Sequence, residues 1–155
     1  MIGGVHRIVV PVDDQDRAKE FWVDRLGFRV VQDESRDGTR ALEVTPPDRS
    51  TLLMLSARPP GERPLPPNDE PSVFFTCDDI DTTQRELTAR GVRFHTPPAE
   101  TSFGQWSMFE DPDGTRYALA QYRVAVDQSD ESALPVERFT TLFRASLAAE
   151  LGCVS

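Results

Sequence analysis

The chain has 155 residues, 38% of them hydrophobic and 28% charged, and a formal net charge of −9. That length suits one domain or two small modules sharing a core. An acidic balance without a basic cluster argues against a nucleic-acid partner, and no apolar run is long enough to span a bilayer.

The opening Met1-Ile2-Gly3-Gly4 lacks a basic segment followed by an apolar run. No secretory signal is therefore expected, and a cytoplasmic location is the default. The two cysteines, Cys77 and Cys153, cannot build a disulfide framework and are expected to be free thiols, with Cys77 packed in an apolar strand pattern.

In chain order, Val5 to Val12 is apolar and β-branched and predicts a strand. Asp13-Asp14 supplies a helix N-cap, and Ala18, Phe21, Trp22 and Leu26 fall on one helical face, closed by Gly27 as a left-handed C′ residue. Three further strands are predicted at Phe28 to Gln32, Arg40 to Thr45 and Thr51 to Ser56. They are divided by the turns Arg36-Asp37-Gly38 and Pro46-Pro47-Asp48.

The same order recurs roughly 65 residues later, as an internal repeat. Val73 to Cys77 predicts a strand, Asp78-Asp79 a cap, Ile80, Thr83 and Leu87 a helical stripe, and Gly91 the C′ glycine. Strands at Val92 to His95, Gln105 to Phe109 and Arg116 to Gln121 follow, the last two joined by Asp111-Pro112-Asp113-Gly114. The unit is βαβββ, used twice.

The expected organisation is a first module over residues 1–57, a proline-rich linker over 58–71 and a second module over 72–123. An acidic tail over 124–155 carries an amphipathic C-terminal helix with Val136, Phe139, Phe143, Leu147 and Leu151 in register. One such unit cannot bury both sides of its sheet. The predicted fold class is therefore α+β, with the two units forming a curved mixed eight-stranded sheet. Its helices lie on the outside of the curve, and its other face lines a central cup sized for a small molecule.

Val12-Asp13-Asp14, Ala18 to Phe28, Arg90 to Phe94, Pro98, Phe103-Gly104 and Phe109 to Gly114 together resemble the vicinal oxygen chelate superfamily. It includes glyoxalase I, extradiol dioxygenases, and fosfomycin- and bleomycin-resistance proteins. The resemblance covers residues from about 5 to 122 and leaves the tail outside. Within it, Phe21 to Phe28 is similar to a helix of the bleomycin-resistance proteins, which implies a metal-free, dimeric, sequestering protein. One scaffold hosts isomerases, dioxygenases, transferases and binders, so function has to be argued from the site.

Metal-dependent members place one His or Glu ligand on each of four strands. The resemblance puts Arg7, Ser72, Ala118 and either Leu53 or Met54 at those places. A guanidinium repels a cation, a hydroxyl ligates weakly and hydrocarbon offers no lone pair, so no metal and no cofactor are expected. His6 precedes Arg7 by one residue and is expected to point away from the cup. Gly-x-Ser-x-Gly, phosphate-loop and Cys-x-x-Cys motifs are absent from the sequence.

Strand parity selects Arg7, Met54, Ser72, Phe74, Trp106, Met108 and Ala118 as cup-lining, ligand-binding residues, with His95 near a strand end as a further contact. An arginine at the base of an apolar cavity suits an anionic ligand, and Trp106 suits stacking unless it and Met108 simply fill the space. The expected function is a metal-free binder of a small organic ligand, an antibiotic or metabolite, as a homodimer. Two enzymatic alternatives remain open, a metal-dependent lyase or dioxygenase with displaced ligands and a metal-free isomerase using Arg7 and His95. A third possibility is an interaction protein docking through its tail.

Overall fold

The computed structural model describes residues 1–62, 70–71 and 73–123. Linker residues 63–69, Ser72, Cys153 and the expected C-terminal helix lie outside the described residues.

The first half runs β1 (Arg7–Val12), α1 (Gln15–Lys19), β2 (Arg29–Arg36), β3 (Thr39–Thr45) and β4 (Leu52–Ala57). The second runs β5 (Phe74–Thr76), α2 (Ile80–Ala89), β6 (Arg93–Phe94), β7 (Ala99–Glu100), β8 (Gly104–Glu110) and β9 (Arg116–Tyr122). The first sheet has strand order β1-β4-β3-β2; the second has β5-β9-β8-β6, with β7 also pairing with β8. In each, the opening strand lies parallel to the last and the other pairs are antiparallel. This is the mixed α+β architecture of a doubled βαβββ unit. The strand β7 adds a ninth to the eight expected.

Local chemistry sets the boundaries. Asp14, extended at φ −136°, accepts the N–H groups of Asp16 and Arg17 at 2.9 and 3.0 Å and starts α1, satisfying donors that a helix start leaves orphaned. After Lys19 the helix widens into a π-helical turn over Glu20–Arg25, where Leu26 N–H bonds the Phe21 carbonyl at 3.1 Å. The wider turn buries the consecutive side chains Phe21 and Trp22, 3% and 0% exposed. Gly27 at φ +78° ends it in the left-handed conformation that costs glycine nothing. Asp79 repeats the cap, accepting Thr82 N–H at 2.8 Å. Asp37 and Gly38 take φ +52° and +77°, the double positive φ of a tight hairpin between β2 and β3.

The two halves meet through their helix-side faces. Leu53, Leu55, Leu42, Val44, Val10 and Val12 from the first sheet share one core with Phe109, Tyr117, Leu119, Ile80 and Val92 from the second half. Trp22 is its hub, with ring centroids 5.1 Å from Phe28, 5.7 Å from Phe75 and 5.1 Å from Tyr117. Edge-on and tilted aromatic pairs at these separations add to the gain from burial. The helix α1 and its π-turn thus lie between the sheets rather than outside a curve. Each sheet has a second face turned away from the common core, and on the second sheet it carries a smaller buried cluster of Trp106, Met108, Ala118 and Ala120. No helix among the described residues is long and apolar enough to cross a membrane.

Candidate functional site

Alternation along the strands assigns side chains to the open faces. In β1 the buried positions are Val10 and Val12, so Arg7, Val9 and Pro11 occupy the opposite side. In β4, Leu53 and Leu55 are buried in the core, which turns Leu52, Met54 and Ser56 to the open face. Val9 pairs with Met54 and Met54 with Glu43, so these three form one row across the sheet. Arg7 and Met54 are thereby brought onto the same face. His6 precedes β1 and is exposed.

Glu43 is the residue that sequence reasoning missed. The residue is 6% exposed, and Arg7 Nη2 lies 2.7 Å from its Oε1. A buried carboxylate needs a partner, and the Arg7 guanidinium supplies it. The Arg7 charge is thus paired with a carboxylate within the same face. The signal was present in Leu42-Glu43-Val44, where an acid alternates with two core residues and so shares the parity of Arg7.

On the second sheet, Phe74 pairs with Ala118 and Ala118 with Met108, while His95 N–H bonds the Met108 carbonyl at 2.8 Å. These four form a row from one edge to the other, with Trp106 opposite Ala120 in the next. Met108 and Trp106 are only 6% and 5% exposed, clustered with Ala118, Ala120, Phe103 and Tyr122. Trp106 is therefore covered, whereas Phe74 is 39% exposed.

At the far end of that row His95 Nε2 lies 2.7 Å from Glu110 Oε2, and Arg93 lies 3.1 Å from Glu110 Oε1. One carboxylate thus bridges an imidazole and a guanidinium. Its partner strand follows the Asp-Pro-Asp-Gly turn, which is held by Asp111. The Asp111 carboxylate accepts the N–H groups of Asp113 and Thr115, each at 2.9 Å, and the Tyr117 hydroxyl at 3.1 Å. Burial raises the Asp111 pKa, partly offset by those hydrogen bonds. Burial also drives the Tyr117 phenol far above its usual range, with the Asp111 charge adding to it. Both groups are structural.

The donor set does not fit a divalent transition metal at the places the resemblance indicates. Arg7 is committed to Glu43, while Leu53, Met54 and Ala118 offer no imidazole or carboxylate. Among the described residues no three His, Cys, Asp or Glu side chains converge in a metal-holding group.

A doubled βαβββ fold with these strand motifs defines a class, and the sequence comparison agrees with it. Residues 4–119 match the Glyoxalase/Bleomycin resistance protein/Dioxygenase superfamily, and the chain belongs to that superfamily. The protein YetH of Bacillus subtilis (strain 168), uncharacterized, is 30% identical over 124 residues, covering 78% of this chain and all of that one. Among solved structures, TnmS3, an antibiotic binding protein from Streptomyces sp. CB03234, is 35% identical with a TM-score of 0.67, covering 78% of this chain and 97% of that chain. A superfamily member from Sphaerobacter thermophilus DSM 20745 is 32% identical with a TM-score of 0.68, covering 77% and 98%.

Proposed function

We propose that this protein is a metal-free small-molecule-binding protein that sequesters an antibiotic or a related metabolite. The observation that carries the reading is a pair of exposed apolar side chains on the faces turned from the shared core: Val9, 57% exposed on the first sheet, and Phe74, 39% exposed on the second. Both lie on edge strands, β1 and β5, and exposed apolar groups there point to a ligand or partner surface. The similarity to an antibiotic binding protein favours a small organic ligand. Arg7, Met54, Phe74 and His95 are the proposed contacts, with Trp106, Met108 and Ala118 as a packed floor and Ser72 two residues before Phe74 in sequence.

The two open faces belong to different sheets that share a core behind them. A homodimer that sets the Arg7 face of one protomer against the Phe74 face of its partner completes a two-walled cup. Native mass spectrometry of the protein purified under mild conditions tests both points. The expected result is a dimer carrying a small organic adduct and no stoichiometric metal. A monomer holding one nickel, zinc, manganese or iron ion that raises its melting temperature overturns the reading.

One observation favours a second reading, a metal-free isomerase. The His95–Glu110 pair at 2.7 Å has the spacing of a base and its orienting carboxylate. Under that reading, solvent deuterium enters a small carbonyl substrate in the presence of the protein and not with His95→Gln. Equal exchange with both proteins removes it.

A further inference from the structure

We infer that the Arg7–Glu43 pair makes the first open face selective for an uncharged ligand with a hydrogen-bond donor beside an acceptor, the carboxamide class, and sets it against simple anions. The inference rests on the small-molecule-binding reading above and names the chemistry that reading leaves open.

Glu43 lies on β3, inside the sheet between β4 and β2. Its side chain is 7% exposed, whereas that of Arg7 is 42% exposed. The carboxylate is therefore the deep member of the pair and the guanidinium the accessible one. Together they carry no net charge. An anion approaching Arg7 also approaches Glu43, whose repulsion offsets the attraction, and a cation approaching Glu43 meets Arg7 in the same way.

A neutral amide escapes both penalties. Its carbonyl accepts from the exposed guanidinium N–H groups, of which arginine has five, and its N–H donates to a Glu43 oxygen at the small part of that side chain that reaches the surface. Val9 and Met54, in the same row as Glu43, provide the apolar surface for a flat ring attached to that amide. The first sheet thus sets a polar pair into a hydrocarbon surface, which is how small-molecule sites combine affinity with orientation.

Three probes of one shape separate the possibilities: 2-naphthamide, 2-naphthoate and 2-naphthylmethylammonium, each titrated into the full-length chain and followed by amide chemical shifts. The expected result is that naphthamide binds about tenfold or more tighter than either charged probe, with the largest shifts around Val9, Glu43 and Met54. Glu43→Gln, which keeps the shape and removes the charge, should then raise naphthoate affinity about tenfold and leave naphthamide within a few-fold.

Naphthoate binding the unaltered protein as tightly as naphthamide overturns the inference, as does a Glu43→Gln variant with an unchanged probe ranking. Should Glu43→Gln fail to fold, the double variant Arg7→Met, Glu43→Leu replaces the pair by hydrocarbon. It should bind all three probes without preference for the amide, and a retained preference is equally fatal. If no probe shifts residues of the first sheet at millimolar concentration, the small-molecule reading of this face falls, and the selectivity falls with it.

Discussion

The carboxylate of Asp113 accepts the backbone N–H of Asp13 at 3.0 Å, although 100 residues separate the two in sequence. Asp113 also holds Arg17 at 2.8 Å, and Asp13 in turn holds Arg58 at 2.8 Å. The Asp-Pro-Asp-Gly turn of the second half is thus fastened onto the helix start of the first.

Asp113→Ala should therefore destabilise the whole chain, by about 1–2 kcal/mol. The Asp113 side chain is 5% exposed, but Arg17 is 53% exposed and its share is screened by solvent. Asp113→Asn, which retains an acceptor for the Asp13 N–H, should lose less. Urea denaturation at neutral pH measures both. Equal losses would mean that the ion pair, and not the backbone hydrogen bond, matters.

Trp22→Ala should cost about 3–5 kcal/mol, the usual range for removing a large aromatic from a packed core. The ring is fully buried and touches Phe28, Phe75 and Tyr117. Thermal unfolding followed by circular dichroism should give a much lower midpoint. A shift of only a few degrees would mean that the aromatic hub is not the joint between the halves.

Gly104 and Gly114 offer a paired test of close approach against backbone strain. A Cβ on Gly104, at φ +146°, would lie 2.0 Å from the Gln121 carbonyl oxygen, so strands β8 and β9 would have to separate. A Cβ on Gly114, at φ +83°, meets nothing within 4 Å. Gly114→Ala should cost about 1–2 kcal/mol from the left-handed conformation alone, and Gly104→Ala distinctly more. Denaturant midpoints decide the order, and similar values for the two would contradict the contact.

Acid should release one specific cluster. Side-chain hydrogen bonds from Arg40, then Lys19, hold the Asp33 carboxyl well below the ordinary carboxylate range. A carboxylate whose pKa is depressed on folding stabilises the folded state above its unfolded pKa, near 4. That contribution disappears as the pH falls toward the folded value. Asp33→Asn should therefore flatten the loss of stability between about pH 4 and pH 2, read as the melting temperature against pH. An unchanged slope would remove Asp33 from the acid response.

Cys77 should be slow to react. Burial lifts its thiol pKa to about 11, against a weaker lowering by the Thr83 side chain. The thiolate is the nucleophile, so in a Cys153→Ser background alkylation by iodoacetamide at pH 8 should lag well behind a free thiol. A rate equal to that of free cysteine would show the thiol to be open.

Much of this fold could be read from residue order alone, because its signals are local. Asp14, Gly27, Asp79 and Gly91 mark helix ends through donors and φ angles that a few neighbouring residues decide. Alternation placed Arg7 opposite Val10 and Val12 for the same reason. What escaped was non-local or too short to leave a pattern. The strand at Ala99–Glu100 has two residues after a Pro-Pro pair and exists only because β8 pairs with it. The π-turn uses the same apolar spacing as an ordinary helix and differs only in which carbonyl Leu26 finds. Glu43 had the right parity, yet only the β1-β4-β3 register brings it to Arg7. That one pairing is what the proposed preference for a neutral ligand rests on.

The indole of Trp22 sits where the two repeats press together, and it belongs to both. Neither repeat can melt while the other stays intact, so the chain should lose its structure in a single cooperative step. A fragment ending after Ala57 would expose that ring to water with nothing to lie against. Two similar units are thereby joined through one side chain, and neither is independent of the other.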